Sequence, residues 1–217
     1  MPDVNARRPY ISPLREGQAI TTRRAVLEAA QQLFISQGYG ATTVEQIAQH
    51  AGVSKPTVFS AVGNKQMVLR AVRDIAIAGD DEPIPVQQRP AVSQIRAEPD
   101  QRKAVELIAR HLTDVGSRYA QISEVLHTAA DGGEQDLREL WETEEDQKLI
   151  GARFWIDILT DKGPLRPGLS HGDAVDVMWL LMSADNYYRL VHRRRWTARK
   201  FQRWLAASIT QLLADDP

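Results

Sequence analysis

The sequence predicts an all-α protein in two parts, a small N-terminal helical domain and a larger C-terminal one. Three observations predict it. Apolar residues recur at three- and four-residue spacing along most of the chain, without the sustained alternation a strand needs. Glycine-centred breaks separate segments of helix length. The composition changes at 79–90, where GDDEPIPVQQRP holds three prolines and three consecutive acids. These features divide the chain into an arm at 1–20, a first domain at 21–79 and a second at 80–217.

The opening segment carries Pro2, Pro9 and Pro13 and has no apolar period, so 1–20 reads as an arm. From 22 to 37, Val26, Ala30, Leu33 and Phe34 share one helical face, and Gly38 and Gly40 end the run. Three short helices follow. The first, 43–50, turns Val44, Ile47, Ala48 and Ala51 inward. The second spans about 54–61. The third spans 64–78, with Met67, Val68, Ala71, Val72 and Ile75 on one side. Beyond the junction the spacing predicts a short helix near 87–97. Longer ones follow at 100–130 (with Gly116 as a candidate break), 134–160, 172–192 and 197–214.

Composition removes several chemistries. There is no cysteine, hence no disulfide, thiolate metal site or cysteine nucleophile, which fits a cytoplasmic protein. The first residues lack a signal-peptide core, and the most apolar stretch, AVDVMWLLMSA at 174–184, contains Asp176 and is too short for a membrane span. The net charge of −1 is unevenly distributed. Residues 1–75 hold nine Lys/Arg against five Asp/Glu, and the remainder 18 against 23. A basic front suits a chain whose first part meets a polyanion.

The most informative segment is TTVEQIAQHAGVSKPTVFSAVGNK, 42–65. Thr43 followed by Gln46 matches a capping box. Gly52 sits in a three-residue turn, where it can adopt φ > 0 without a Cβ penalty. Ser54 offers an N-cap oxygen, and Pro56 falls in the first helical turn, where its missing N–H is tolerated. Ile47, Val53 and Phe59 are placed to close a small apolar core. The result is a helix-turn-helix at 43–62, which projects the start of its second helix into the DNA major groove. At that start Lys55 and Thr57 can donate to bases or phosphates, and Pro56 can touch a thymine methyl. Thr42, Thr43 and Lys65, near two other helix starts, are positioned for phosphate. In the arm, Arg7, Arg8 and Arg15, with Arg23 and Arg24, suit the minor groove.

An amphipathic helix, TTVEQIA, AGVSK, an aromatic, and Asn-Lys opening another helix together resemble the tetracycline-repressor (TetR) family, closely over 21–79 and beyond it as helical architecture alone. That resemblance implies three N-terminal helices that bind DNA and a fourth that links them to a C-terminal ligand and dimer domain. It also implies repression that ends when an effector binds. The family usually has Tyr, a polar or aromatic pair and Phe after the turn, where this chain has Phe59-Ser60-Ala61-Val62. Phe59 lacks the hydroxyl that commonly reaches a phosphate, leaving Ser60 or the arm to supply that contact.

Segment 172–192 is apolar almost all round, and 197–214 carries a stripe of Phe201, Trp204, Leu205, Ser208, Ile209 and Leu212. One subunit does not easily bury both, so these segments are expected to pair a homodimer on a double-stranded, inverted-repeat operator. Trp141, Phe154, Trp155, Met178, Met182 and Tyr187 are candidate linings for a small hydrophobic effector. His127 and Asn186 are weaker polar candidates, and the acidic run of Glu142, Glu144, Glu145 and Asp146 reads as a solvated face. With no positive charge forced into that region, the expected effector is neutral or weakly polar. Two rivals are an enzyme and a ligand-independent DNA-binding protein. The five histidines show no metal-ligand spacing and no nucleophile elbow or phosphate loop occurs, so no catalytic residue, metal or cofactor is assigned.

Overall fold

The computed structural model describes residues 13–133 and 135–214. Those residues form helices, with one isolated antiparallel bridge, Leu165 to Leu213. They fall into two compact units that divide between Val72 and Arg73. The division lies inside a helix, ahead of the change in composition at Gly79. No helix among the described residues is long and apolar enough to cross a membrane.

In the first unit α1 (Pro13–Ala41), α2 (Val44–His50) and α3 (Lys55–Ala61) pack on one another. Helix α1 starts at Pro13, so 13–20 are helical where an arm was expected; proline is tolerated at a helix start because it has no N–H to leave unpaired. Gly38, at φ 82° and ψ 168°, interrupts the helix where the sequence places its end. Val26, Ala30, Phe34, Ile47, Ala48 and Val58 are buried between the three helices. Phe59 is not the core residue it was expected to be. Ser54 caps α3, and that phase turns Val58 inward and leaves Phe59 46% exposed. Helix α4 (Lys65–Ala78) is entered through Asn64, whose Oδ1 accepts from Met67 N at 2.9 Å. It buries Val68, Leu69, Val72 and Ala76, while Met67, expected on the apolar side, is exposed.

The second unit is built around α6 (Gln101–Asp131), capped by Asp100 and packed against α5 (Pro90–Ala97), α7 (Gln135–Thr160) and α10 (Ala198–Thr210). Gly116 does not break α6. Instead it admits Tyr187, whose ring carbons would lie 2.8–2.9 Å from a Cβ at that position. The Gln101 amide donates to Leu159 O and Gly163 O at 3.0 and 2.8 Å, closing the end of α7.

The expected single helix at 172–192 is three pieces: α8 (His171–Leu181), α9 (Ala184–Tyr187) and a π-helical turn (Tyr188–Arg193). The break falls at Met182-Ser183, where Asn186 Nδ2 donates to Leu180 O at 2.6 Å and so satisfies the end of α8. Helix α10 ends at Thr210 rather than 214, because the chain turns there to bond Leu212 O to Arg166 N. Its buried Phe201, Leu205 and Ile209 join Met178, Val175, Ile108 and Trp155 in one core.

Candidate DNA-reading surface and cavity

The helix-turn-helix is assembled from short-range hydrogen bonds. Thr43 Oγ1 accepts from Gln46 N at 3.2 Å while Gln46 Oε1 accepts from Thr43 N at 2.8 Å, the reciprocal capping box. Such a cap contributes about 1 kcal/mol. Gly52 takes φ 68° in the turn. Ser54 Oγ then accepts from Thr57 N at 3.3 Å and lies 2.7 Å from Thr57 Oγ1. Around this cap Ser54, Lys55, Pro56, Phe59 and Ser60 are exposed and Thr57 is half-buried, so the start of α3 presents one polar, sterically open edge. Lys55 pairs across the turn with Glu45 of α2, and that hydrogen bond holds the Glu45 carboxyl below its ordinary acidity range.

Three residues expected to meet DNA also bond within the first unit. Thr42 is fully buried, and its hydroxyl donates to Gly38 O at 2.8 Å, because the kink at Gly38 leaves that carbonyl without a helical partner. Lys65 donates from Nζ to Tyr39 O at 3.0 Å and lies 4.0 Å from the centre of the Tyr39 ring, which makes it a brace between α4 and the end of α1. Arg23 donates to Ala61 O at 3.1 Å, opposing the negative end of α3. Thr43 stays exposed. Arg7 and Arg8 lie outside the described residues, as does the side chain of Arg15.

The second unit contains a cavity of about 240 Å³ between α6, α7, α9 and α10. Five of the six proposed lining residues wall it: Trp141, Phe154, Trp155, Met182 and Tyr187. Met178 does not; it is buried within the core beside the cavity. His127 stacks on Trp141 with ring centres 4.7 Å apart, outside the wall.

The polar part of the wall was not foreseen. Glu144, expected on a solvated face, is 8% exposed, and burial, outweighing the attraction of Arg73, pushes its carboxyl up to about 7. Arg73 and Lys148 also line the cavity, contrary to the expectation that no positive charge does. Arg73 Nε lies 3.4 Å from Glu144 Oε2. Burial, and then Arg118, lower the pKa of His111 in the same wall. The one sequence feature that bears on it is the helical spacing of Glu144 from Trp141 and Trp155 on the same helix, and the neighbouring acids mask that spacing.

Residues 26–72 match the model of "Bacterial regulatory proteins, tetR family". The uncharacterised HTH-type transcriptional regulator YvkB of Bacillus subtilis is 43% identical over 51 residues, 24% of this chain and 27% of that relative. YdeS, another uncharacterised HTH-type transcriptional regulator of the same species, is 27% identical over 175 residues, covering 78% of each chain. The crystal structure of MexZ, a repressor from Pseudomonas aeruginosa, shares the fold with a TM-score of 0.56 and 22% identity, over 89% of this chain and 96% of that one. With a match to the tetR-family model at 26–72 and a helix-turn-helix capped as described, the first unit carries a TetR-type helix-turn-helix, and the chain as a whole is similar to HTH-type transcriptional regulators in sequence and to MexZ in its all-helical fold.

Proposed function

We propose that the chain is a repressor that binds an inverted-repeat operator as a homodimer in the cytoplasm and leaves it when a small molecule enters the cavity of the second unit. The observation that carries the DNA half is the exposed edge of α3, where Ser54, Lys55 and Pro56 stand in solvent around the Ser54–Thr57 cap. Thr57 and Pro56 read bases, Lys55 donates to a base edge or a phosphate, and Thr43, Ser54, Ser60 and the edge of Phe59 meet the sugar-phosphate backbone. Lys65 adds positive charge to that backbone contact while it braces Tyr39.

The cavity favours an effector-controlled regulator over a ligand-independent one, since a purely architectural protein has no use for an aromatic-walled cavity. The dimer reading rests on α8 and α10. Leu180 is 58% exposed, and Val177, Trp179 and Trp204 are only half-buried, an apolar surface a second copy would cover.

Selection of binding sites from random duplex, followed by gel shifts, tests the reading. The selected sites should be palindromic, with half-sites about one helical turn apart or somewhat more. Thr57→Ala should lose about 1–3 kcal/mol of specific affinity and relax preference at one base position per half-site. Sedimentation should give twice the 24.4 kDa of one chain. Unbiased selection, or wild-type affinity in Thr57→Ala, would remove the assigned role of α3.

A further inference from the structure

The cavity wall holds a carboxylate with unused bonding capacity. Glu144 Oε2 is buried and accepts no hydrogen bond, since Arg73 Nε at 3.4 Å is too distant for a well-formed one. The Arg73 guanidinium gives its short contact to a different carboxylate, with Nη1 2.7 Å from Asp74 Oδ1. The hydroxyl of Tyr119, 6% exposed and in the same wall, is also without a partner. The other cation of the wall is occupied: Lys148 pairs with Glu145 at 2.7 Å and lies 4.3 Å from the centre of the Trp179 ring. His111 is biased toward its neutral form by burial and adds no compensating charge. A buried acceptor next to the rings of Phe154 and Trp155 is the arrangement that receives an organic cation, through charge on one side and π-faces on the other.

We propose that Glu144 anchors the positive charge of a small organic monocation whose apolar body lies against Phe154 and Trp155, and that this ion takes the carboxylate from Arg73. The inference rests on the effector reading above and names its chemical class. An anion would face both Glu144 and Glu145 and find Arg73 already engaged by Asp74. A neutral ligand would leave the Glu144 oxygen unsatisfied. The cavity's 240 Å³ limits the body: it falls below the roughly 300–1,000 Å³ of drug-sized sites, while about 150 Å³ suffices for benzene, so one substituted ring fits. Arg73 belongs to α4, the helix that begins in the DNA-binding unit at Lys65, so the competition for Glu144 gives the ligand a difference in contacts through which it can act.

Isothermal titration of the full chain with three probes tests the proposal: benzyltrimethylammonium, its uncharged isostere neopentylbenzene, and the anion 3-phenylpropionate. The ammonium should bind at least about tenfold more tightly than either other probe. Glu144→Gln should abolish that preference while leaving affinity for neopentylbenzene unchanged, which shows that the cavity is intact. Arg73→Gln, which removes the competitor, should tighten ammonium binding severalfold. Equal affinity for ammonium and isostere, preference for the anion, retained preference in Glu144→Gln, weaker binding in Arg73→Gln, or no binding of any probe at millimolar concentration would each overturn the cation anchor. Gel shifts on the selected operator run in parallel separate the two readings. If DNA binds and uncharged compounds release it, the repressor stands and the anchor falls. If no DNA binds, the repressor reading fails on its own terms.

Discussion

Glu45 on α2 and Glu144 on α7 each have a cation beside them, Lys55 and Arg73 respectively, and the two carboxyls are driven in opposite directions. Glu45 stands in water, where desolvation is slight and the hydrogen bond from Lys55 holds its acidity below the ordinary range. Glu144 lies in the cavity wall, where loss of water outweighs Arg73 and pushes the carboxyl up to about 7. The DNA-binding unit keeps its charges hydrated and available to a polyanion that carries its own counterions. The second unit holds charges in a low-dielectric wall, where each is costly and therefore responsive to a ligand.

The largest expected effect tests the buried member. Folded Glu144 keeps a proton up to about pH 7, whereas the unfolded carboxyl releases it near its ordinary 4.5. The folded state therefore binds more protons between those values, and stability falls as pH rises through that window. Glu144→Gln should be more stable than wild type by on the order of 1–3 kcal/mol at pH 8, with the difference fading toward pH 5. His111 works the other way: its lowered pKa supports the fold above its ordinary 6.5 and withdraws support as pH falls, so the variant and wild type must be compared at each pH. Urea denaturation across that range measures it, and a difference independent of pH would contradict the assigned burial.

Next come two glycines, one in each unit. Gly116 makes room for Tyr187, so Gly116→Ala drives a methyl into the ring at 2.8 Å and should cost about 1–3 kcal/mol, reduced by up to about 1 for better helix propensity. It should also narrow the cavity that Tyr187 lines. Gly52 meets no neighbour within 4 Å but sits at φ 68°. Gly52→Ala should therefore cost only the backbone strain, about 1–2 kcal/mol, and leave the cavity unchanged. Thermal melts order the pair, and ligand titration shows which one touches the cavity.

The difference between the units also decides how much was legible in the sequence. The helix-turn-helix is set by partners three residues apart: Thr43 with Gln46, Ser54 with Thr57, and Gly52 between them. Local chemistry of that kind is printed in consecutive letters. It failed at Val58-Phe59, two adjacent apolar residues where size pointed to Phe59 and the phase set by the Ser54 cap chose Val58. The aromatic wall was readable from helical spacing on α7. Glu144 was not, because its burial depends on Arg73 and α4, far away in the chain, while its own neighbours Glu142, Glu145 and Asp146 advertise a solvated face. The break at Ser183 was hidden for a related reason: a helix apolar on every side has no phase to lose.

The smallest effect falls on the exposed member. Glu45 occupies Lys55, the cation at the start of α3, and both side chains are largely in solvent. An exposed pair of this kind contributes little to folding, so Glu45→Gln should leave the denaturation curve where it is. Its consequence belongs to DNA. Glu45 competes with phosphate for the Lys55 ammonium and places a negative charge beside the polyanion. Substitution removes both obstacles, and affinity should rise for operator and random duplex alike. If Lys55 then neutralises one more phosphate, the slope of log affinity against log salt should steepen by about 0.9 per subunit. Lys55→Gln in the same background should reverse the change, because the freed cation is gone. Anisotropy titrations over a range of salt concentrations measure both, and a slope unchanged by Glu45→Gln would mean that Lys55 meets a base edge or water rather than the backbone. A base-edge contact should then show its gain only on operator DNA, whereas a Lys55 left in water should show no operator-specific gain, so one data set assigns the contact.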